Sequence, residues 1–270
     1  MLPVNARHVR NVPGRKTDVK DCQWLAHLLQ CGLLKASFIP EKAQRELRDL
    51  TRHRKQLQSE HTRAVNRIHK TLEDANVKLG SVATDIMGVT GRAIIEALIA
   101  GVSAPARLAE AARGCLQARS QQLQWAVEGR VSDHHRFMLR SLMAHVHYLE
   151  SAMEGFDARV EELMRPFAEP AARLAEIPGL SQRTAENIVS EVGVNMSHFP
   201  GAAHLSAWVA ISPGNNEGAG KRKSGKTGQG NRWLRQTLVQ AAWAASRQKG
   251  SYFKAQFAAW PNGADASGPW

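Results

Sequence analysis

Residues 40–79 read PEKAQRELRDLTRHRKQLQSEHTRAVNRIHKTLEDANVKL, and they carry the strongest structural signal in the chain. Their apolar residues recur at spacings of three, four or seven residues, or at sums of these, which is typical of one face of an amphipathic helix. Pro40 and Glu41 suit the first helical turn. The stretch predicts a long helix from Pro40 to about Leu79. Its apolar stripe is Leu47, Leu50, Leu57, Val65, Ile68 and Leu72, and its basic residues are Lys42, Arg45, Arg48, Arg52, Arg54, Lys55, Arg63, Arg67 and Lys70.

The chain after this helix has the same helical character. Its apolar periodicity predicts one or two short helices and then two amphipathic helices, with a coiled-coil-like pattern but without strict heptads. Two prolines, Pro166 and Pro170, mark a boundary. The predicted ranges are Gly80 to Gly101 for the short helices, and Leu108 to about Trp125 and His134 to about Met164 for the longer ones.

The chain before the long helix has a different pattern. Val4 to Val12 alternates weakly and predicts a short strand, which Pro13-Gly14 ends. A helix follows from Thr17 or Asp18 to about Gln30, and Gly32 ends it. Because one strand cannot make a sheet, we expect this segment to be the end of an α/β domain whose beginning is absent.

The last part of the chain, from about Ala171, combines helices with a glycine-rich loop. The loop runs from Pro213 to Gly230, and a helix is predicted from about Asn231 to Arg247. The stretch from Trp260 to Trp270 has no periodicity, and we expect it to be disordered. The predicted fold class is therefore mainly α.

The composition indicates a polyanionic partner. The 270 residues include 36 Lys and Arg against 24 Asp and Glu, which gives a formal net charge of +12. Such an excess favours nucleic acid over a membrane surface. Hydrophobic residues make up 43% and charged residues 22%, as in soluble globular proteins.

Several protein classes are excluded early. No apolar run approaches the ~18 residues that span a bilayer, and the N-terminus lacks the apolar core of a secretory signal. The three cysteines have no zinc-ligand spacing and cannot form a disulfide framework. We expect a cytoplasmic, nucleoid-associated protein.

The first candidate site is Gly14-Arg-Lys-Thr-Asp-Val-Lys-Asp21. Asp18 and Asp21 lie three residues apart and share one helical face, where carboxylates can hold a divalent metal for phosphodiester chemistry. The alternative is helix capping by acids in a first turn. Two carboxylates are too few for a two-metal site. Arg15, Lys16 and Lys20 are candidate nucleic-acid contacts.

The second candidate is Ile177-Pro-Gly-Leu-Ser181, which resembles the turn of a helix–hairpin–helix. In such a turn, backbone N–H groups bind a phosphate. Gly179 and Ser181 are the candidate contacts, and Ser181 stands where the second glycine is usual. The alternative is a tight turn between helices that serves only packing.

The third candidate is the glycine-rich loop itself, residues 213–235. Glycines and cations together suit a loop that closes on a nucleic-acid backbone. The segment around Gly220 does not have the P-loop spacing. The alternative is a solvated basic loop. The candidate nucleic-acid contacts are Lys221, Arg222, Lys223, Lys226, Asn231, Arg232 and Arg235.

These motifs, in this order, resemble the DEDD-type insertion-sequence transposases of the "IS one-ten" group, which also includes the pilin-inversion recombinases. The resemblance covers about residues 4 to 257. It rests on Gly14–Asp21, Trp24-Leu-Ala26, Ser37-Phe-Ile-Pro40, Glu46-Leu-Arg-Asp-Leu-Thr-Arg52, Asn66-Arg-Ile-His-Lys70, Ile177-Pro-Gly179, Pro213-Gly-Asn-Asn-Glu217, Gly220-Lys-Arg222 and Gly230-Asn-Arg-Trp-Leu-Arg235.

The resemblance implies a RuvC-like N-terminal domain with four acids that bind magnesium, and Asp18 and Asp21 match the third and fourth. It implies a C-terminal domain with a serine that attacks DNA, assembly into homo-oligomers, and a structured guide RNA that selects donor and target DNA. The expected parts are a RuvC-like remnant (1–38), a helical coiled-coil-like region (39–170), a C-terminal transposase domain (171–257) and a disordered tail (258–270).

Three departures bear on activity. The strands with the first two acids would precede Met1. Where family members read Asn-Asn-Glu-Ser, this chain has Gly218 after Glu217, and glycine has no hydroxyl with which to form a phosphoserine. From Trp260 the chain looks like a frameshifted tail. The expected function is that of an insertion-sequence transposase, inactive in this form.

Two alternatives remain open. The chain could be a non-catalytic nucleic-acid-binding protein that uses the long basic helix and the loop. It could also be an assembly subunit derived from a transposase, pairing with an intact transposase through the Leu47–Leu72 helix.

Overall fold

The structure is a computed structural model that describes residues 21–34, 38–212, 216–218, 221–224, 227–228 and 230–259. The predicted strand Val4–Val12 and the stretch Trp260–Trp270 lie outside these residues. No helix among them is long and apolar enough to span a bilayer.

The described elements are almost all helical, which confirms the mainly α class. The α-helices are α1 (Asp21–Gln30), α2 (Lys42–Asp74), α3 (Leu79–Val82), α4 (Val89–Ile99), α5 (Pro105–Ala109), α6 (Ser120–Ala126), α7 (Asp133–Met164), α8 (Ala168–Ala175), α9 (Gln182–Val192), α10 (Ala202–Val209), α11 (Arg232–Arg247) and α12 (Tyr252–Ala259). Short 3-10 helices span Gly114–Arg119, Arg165–Phe167 and Met196–His198. The strands are β1 (Asn216–Gly218) and β2 (Lys221–Ser224).

The chain divides into two compact units. One unit comprises Asp49–Arg165, and the other comprises Met1–Arg48 together with Pro166–Trp270. They are called the middle unit and the terminal unit below. The four-part division expected from the family resemblance remains a prediction.

The middle unit is built on α2 and α7, which run antiparallel. Arg54 Nη1 lies 3.2 Å from Asp157 Oδ1, and His61 Nε2 lies 3.1 Å from Glu150 Oε1. The two pairs lie seven residues apart on each helix, so the two helices keep one register over one heptad. The same register places Asp74 beside His135 and the ring of His53 beside that of Phe156.

Four of the six residues in the predicted apolar stripe of α2 are buried within the chain. Leu57, Ile68 and Leu72 belong to one core with residues of α3 to α7, and Ile68 is 0% exposed. These three residues are therefore not available to a partner chain, and the hypothesis that the Leu47–Leu72 helix pairs with an intact transposase stays a prediction. Other members of this core are Leu79, Ile94, Leu98, Leu108, Leu123, Leu139, Val146 and Leu149.

A partly buried carboxylate stabilises the contact between α7 and its neighbours. Arg92 donates two hydrogen bonds to the Glu150 carboxylate, one of them 3.1 Å long from Nη1 to Oε2. Burial alone would raise the pKa of Glu150. The hydrogen bonds and positive charges of Arg92 and His61 outweigh burial and hold that pKa below its ordinary value.

The single helix predicted from Leu108 to about Trp125 is wrong. The chain forms α5, a 3-10 turn and α6 in its place. Gly114 has a φ of +59°, which interrupts an α-helical hydrogen-bond ladder. The Arg113 backbone N–H donates to the Thr90 hydroxyl at 3.0 Å and fixes the break against α4.

The terminal unit has a small core in which aromatic rings meet. Val192, Phe199, Val209 and Leu234 are its buried members. Phe38 contacts the rings of Phe199 and Trp208 at centroid distances of 6.0 and 6.2 Å, and Phe199 and Trp208 lie 5.3 Å apart. These edge-on contacts are the favoured geometry for aromatic pairs.

The glycine-rich loop contains a hairpin that the sequence pattern did not predict. Strands β1 and β2 pair antiparallel, with Asn216 opposite Ser224, Glu217 opposite Arg222 and Gly218 opposite Lys221. A bulge lies between the first two of these pairs. No strand was predicted in this glycine-rich loop because it lacks the alternation of apolar residues that indicates strands.

Candidate nucleic-acid interface

The helix that follows the loop begins at a well-formed cap. Asn231 Oδ1 accepts hydrogen bonds from the N–H groups of Trp233 and Leu234, each 3.1 Å long. This side-chain cap satisfies two N–H groups that have no partner within the helix. The predicted start of the helix at Asn231 is therefore confirmed, with Asn231 as the cap of α11.

The other end of the Asn231 amide reaches a buried acid. Its Nδ2 donates to Glu191 Oε2 at 2.6 Å, and the Glu191 side chain is 3% exposed. Arg48 also binds Glu191: its Nε lies 3.2 Å from the carboxylate, and its Nη2 donates to the backbone carbonyl at 2.6 Å. A buried carboxylate needs such partners, because an unpaired buried charge is costly.

Arg235 holds the returning end of the loop. Its Nη1 donates to the Thr227 hydroxyl at 3.2 Å and to the Gly228 carbonyl at 3.3 Å. Gly230 lies against the end of α10, where an added Cβ would be 2.7 Å from the Trp208 carbonyl oxygen. The stem of the loop is thus fixed by α10 and α11.

Arg232 is an exposed cation at the start of α11. Its guanidinium lies 5.0 Å from the centre of the Trp233 ring, within the range of a cation–π contact. A planar guanidinium beside an indole can meet both a phosphate and a base face.

The turn at residues 177–181 packs against α11. Gly179 has a φ of +88°, and an added Cβ would lie 2.5 Å from the Ala245 nitrogen and 2.6 Å from the Ala241 carbonyl oxygen. Ser181 caps α9, with its hydroxyl accepting from the Thr184 N–H at 3.3 Å. The glycine is needed here for close packing as well as for its backbone angle.

Two family models match the chain, one at each end. Residues 171–258 match the model described as Transposase IS116/IS110/IS902 family. Residues 1–77 match the DEDD model of IS110 elements, described as Transposase. The chain belongs to the IS110-type transposase family. No curated protein matches it.

Of the two acids expected to bind metal in this transposase, one lies outside the described residues and the other is the first of them. Asp18 lies outside the described residues, as do Arg15, Lys16 and Lys20, and Asp21 is the first residue of α1. Among the side chains that the structure describes, no three His, Cys, Asp or Glu residues gather in a way that could hold a metal ion. The family typically uses a divalent metal.

The predicted contacts of the C-terminal part fall into two groups. Gly179, Ser181, Asn231 and Arg235 each have a defined part in the fold of the terminal unit. Lys221, Arg222 and Lys223 occupy strand β2, where Gly218 is opposite Lys221. Lys226 lies outside the described residues. Their contacts with nucleic acid remain predictions.

Sequence reasoning missed the central residue of this region of the transposase. Glu191 is the acid that joins Arg48 of α2 to the cap of α11. A signal was present, because Glu191 follows Ile188 by three residues and therefore lies on the apolar face of α9. An acid on an apolar face predicts a buried, paired carboxylate.

Proposed function

We propose that this transposase binds insertion-sequence DNA through the glycine-rich loop of its terminal unit. The proposal rests on the contacts that hold the base of this loop. Arg235, Asn231 and Gly230 hold both the start of α11 and residues 227–228, and Lys221, Arg222 and Lys223 lie on strand β2 of the same loop. Because both contacts hold the base of the loop, we expect a cationic loop at this place to lose less entropy when it binds a phosphate backbone.

Within this proposal, Lys221, Arg222, Lys223, Lys226, Arg232 and Arg235 contact phosphates. Gly179, Ser181 and Asn231 contribute backbone or amide donors at two helix starts. The helix–hairpin–helix character of residues 177–181 is part of the proposal, as are Arg15, Lys16 and Lys20 next to the acids. A structured guide RNA and a homo-oligomer belong to it by family resemblance.

The proposed metal chemistry uses Asp18 and Asp21 as ligands of Mg²⁺. Oxygen ligands suit this ion, and bound Mg²⁺ would stabilise charge on a phosphodiester. We further propose that the chain does not itself join DNA strands. Gly218 stands where the resemblance expects a nucleophilic serine, and it offers no hydroxyl to phosphorus.

The test of DNA binding compares two triple variants that remove equal charge. Lys221, Arg222 and Lys223 are changed to alanine in one, and Arg63, Arg67 and Lys70, which are exposed on α2, are changed to alanine in the other. Fluorescence anisotropy with duplex DNA of the element end should show at least a tenfold loss for the loop variant and a much smaller loss for the helix variant. Equal losses would contradict a loop-specific interface.

The test of catalysis is a strand-transfer assay with Mg²⁺ and the full chain. The proposal expects DNA binding without strand transfer and without a covalent protein–DNA adduct. The Gly218→Ser variant shows whether a hydroxyl alone restores the adduct. Strand transfer by the unaltered chain would overturn the proposed inactivity and favour an active transposase. The alternative function is that of a non-catalytic nucleic-acid-binding protein. It requires that the chain binds DNA although strand transfer does not occur.

A further inference from the structure

The terminal unit contains a cavity of about 350 Å³ between the start of α2 and the end of α9, which we call the α2–α9 cavity. Its inner wall is apolar, since the buried side chains of Leu47, Val189 and Val192 form it. Its mouth is exposed and carries both polar and apolar side chains. The mouth residues that matter below are Glu41, Ala43, Gln44, Asn195 and His198.

The α2–α9 cavity has the size and the walls for a flat ring system. A dry cavity of about 150 Å³ holds one benzene molecule, so this cavity has room for a two-ring heterocycle. Phe38 and Phe167, both half-buried, also line it. The Phe38 ring lies against the His198 ring, with the two centroids 4.6 Å apart. Aromatic side chains of this kind favour contact with another planar ring.

The mouth offers polar groups that can recognise a ligand. Gln44 Nε2 donates to the Ser190 carbonyl at 3.3 Å, which leaves Gln44 Oε1 as an acceptor. Within the described part of the chain, the Glu41 carboxylate has no hydrogen-bond or ion-pair partner. Asn195 Oδ1 accepts from the Ser197 N–H at 3.0 Å, so Asn195 Nδ2 remains a donor.

Gly193 determines where the Gln44 amide lies. The φ of Gly193 is +82°, and an added Cβ would lie 2.8 Å from Gln44 Oε1. A glycine leaves this space to the amide and adopts the backbone angle without strain. The Gln44 acceptor therefore packs against the wall of the cavity.

The charges of the α2–α9 cavity disfavour a phosphate or another anion. Of the described residues that line it, none is Lys or Arg, and Glu41 adds a negative charge. Carboxylate and amide oxygens instead accept hydrogen bonds from exocyclic amino groups, as they do from those of cytosine and adenine. The ligand that fits is an uncharged planar heterocycle with an amino group on its edge.

The α2–α9 cavity adjoins the base of the glycine-rich loop. Val192 directly follows Glu191, and Leu47 directly precedes Arg48. Glu191 binds both Arg48 and Asn231, the cap of α11. The helices that form the inner wall of the cavity are thus the helices that hold the start of α11.

We propose that the α2–α9 cavity receives one unpaired DNA base that carries an exocyclic amino group, while the loop holds the backbone of the same DNA. The base lies against the apolar wall, and its amino group donates to Glu41 or to Gln44 Oε1. An unpaired base is the natural occupant, because a paired base must first leave its stack and its partner. This inference rests on the proposed binding of DNA by the loop and adds a site that distinguishes bases.

The first test measures the affinity of the full chain for duplexes that differ only at one central unpaired nucleotide. That nucleotide is adenine, cytosine, thymine or an abasic sugar. Adenine and cytosine should bind about tenfold more tightly than the abasic sugar, because one base gains its contacts with the cavity. Thymine has no exocyclic amino group and should bind less tightly than either. Equal affinity for all of these duplexes would overturn the inference.

The second test fills the cavity. Ala43 is exposed at the mouth, so Ala43→Phe adds a ring there without disturbing a buried position. This variant should lose the preference for an unpaired base and keep its affinity for the abasic duplex. Ala255→Phe, at an exposed position of α12 outside the cavity, is the matched control and should keep the preference. A preference that survives Ala43→Phe would place the base elsewhere and overturn the site.

The third test concerns the amino group. Glu41→Ala and Glu46→Ala each remove one exposed carboxylate near the start of α2, but only Glu41 lines the cavity. Because both variants lose the same charge, their general affinity for DNA should rise alike. Only Glu41→Ala should reduce the preference of adenine and cytosine over thymine. The same preference in both variants would overturn recognition of the amino group by Glu41.

The outcomes separate this inference from the proposed function. A chain that binds none of the duplexes overturns both the proposed function and the base site. A chain that binds the abasic duplex as tightly as the others keeps the proposed function and overturns only the base site. Helical circular dichroism shows whether each variant folds, so a lost preference in a folded variant is a property of the cavity.

Discussion

Asn231 Nδ2 donates to Glu191 Oε2 at 2.6 Å, and this hydrogen bond ties the cap of α11 to a carboxylate that is almost fully buried in α9. The same carboxylate lies 3.2 Å from Arg48 Nε at the start of α2. Three segments that are distant in sequence therefore meet at one acid. The base of the proposed nucleic-acid loop depends on this contact.

The first prediction concerns Asn231. Asn231→Ala removes the cap, which contributes about 1 kcal/mol, and a hydrogen bond to a buried charge, which contributes about 1.5–3 kcal/mol. The free energy of unfolding of the terminal unit should fall by about 2–4 kcal/mol in urea titrations. Asn231→Ser keeps the cap but cannot reach Glu191, so its loss should be smaller. A variant Asn231→Ala as stable as the natural chain would contradict this account of the buried acid.

The second prediction concerns the turn at Gly179. Gly179→Ala should lower stability by more than about 1 kcal/mol, because the left-handed backbone angle is strained for alanine and the new Cβ would collide with the backbone of α11. Gly250→Ala is the matched control, since Gly250 has a φ of +74° with no atom within 4 Å of the added Cβ. Thermal unfolding should show the larger loss for Gly179→Ala. Equal losses would mean that packing on α11 adds nothing to the need for glycine.

The third prediction concerns Glu150 and its dependence on pH. Glu150→Gln removes the charge that Arg92 and His61 bind, and the middle unit should lose about 1–2 kcal/mol at pH 7. Because the folded-state pKa of Glu150 lies below the ordinary value of 4.5, its stabilising contribution is complete above that value. It is lost as the pH falls through the folded-state pKa.

The natural chain and Glu150→Gln should therefore approach each other in stability in strong acid. Urea titrations at pH 7 and at acid pH measure the difference. Glu161→Gln, at an exposed position on the same helix, is the control and should show little effect at either pH. A constant difference between the natural chain and Glu150→Gln across this range would refute the assignment of the ion pairs.

The sequence pattern predicts the long helices because their apolar residues repeat over many turns. The predicted end of α1 at Gln30 is confirmed, where Gly32 has a φ of +67°. The predicted helix from His134 to Met164 is α7 with one added residue at its start. Over a stretch of this length, the helical spacing of apolar residues is clearly distinct from the alternation that would indicate a strand.

The features that the sequence did not predict depend on contacts between residues distant in sequence, or on strands without a periodic pattern of apolar residues. The break at Gly114 requires the Thr90 hydroxyl of α4, which is distant in sequence. The hairpin of β1 and β2 forms from polar and charged residues and one glycine, without apolar alternation. The Leu47–Leu72 stripe was recognised, but its partner was not, because periodicity shows that a face is buried and not what buries it.

The central claim is that the IS110-type transposase binds the backbone of nucleic acid through its cationic loop. The most direct measurement is the affinity of the full chain for element-end duplex DNA across a series of salt concentrations. With six or more phosphates contacted, affinity should fall by roughly 10³ or more across a few-fold rise in salt. The slope should be reduced by about three when Lys221, Arg222 and Lys223 are changed to alanine. Affinity that does not change with salt would contradict the claim.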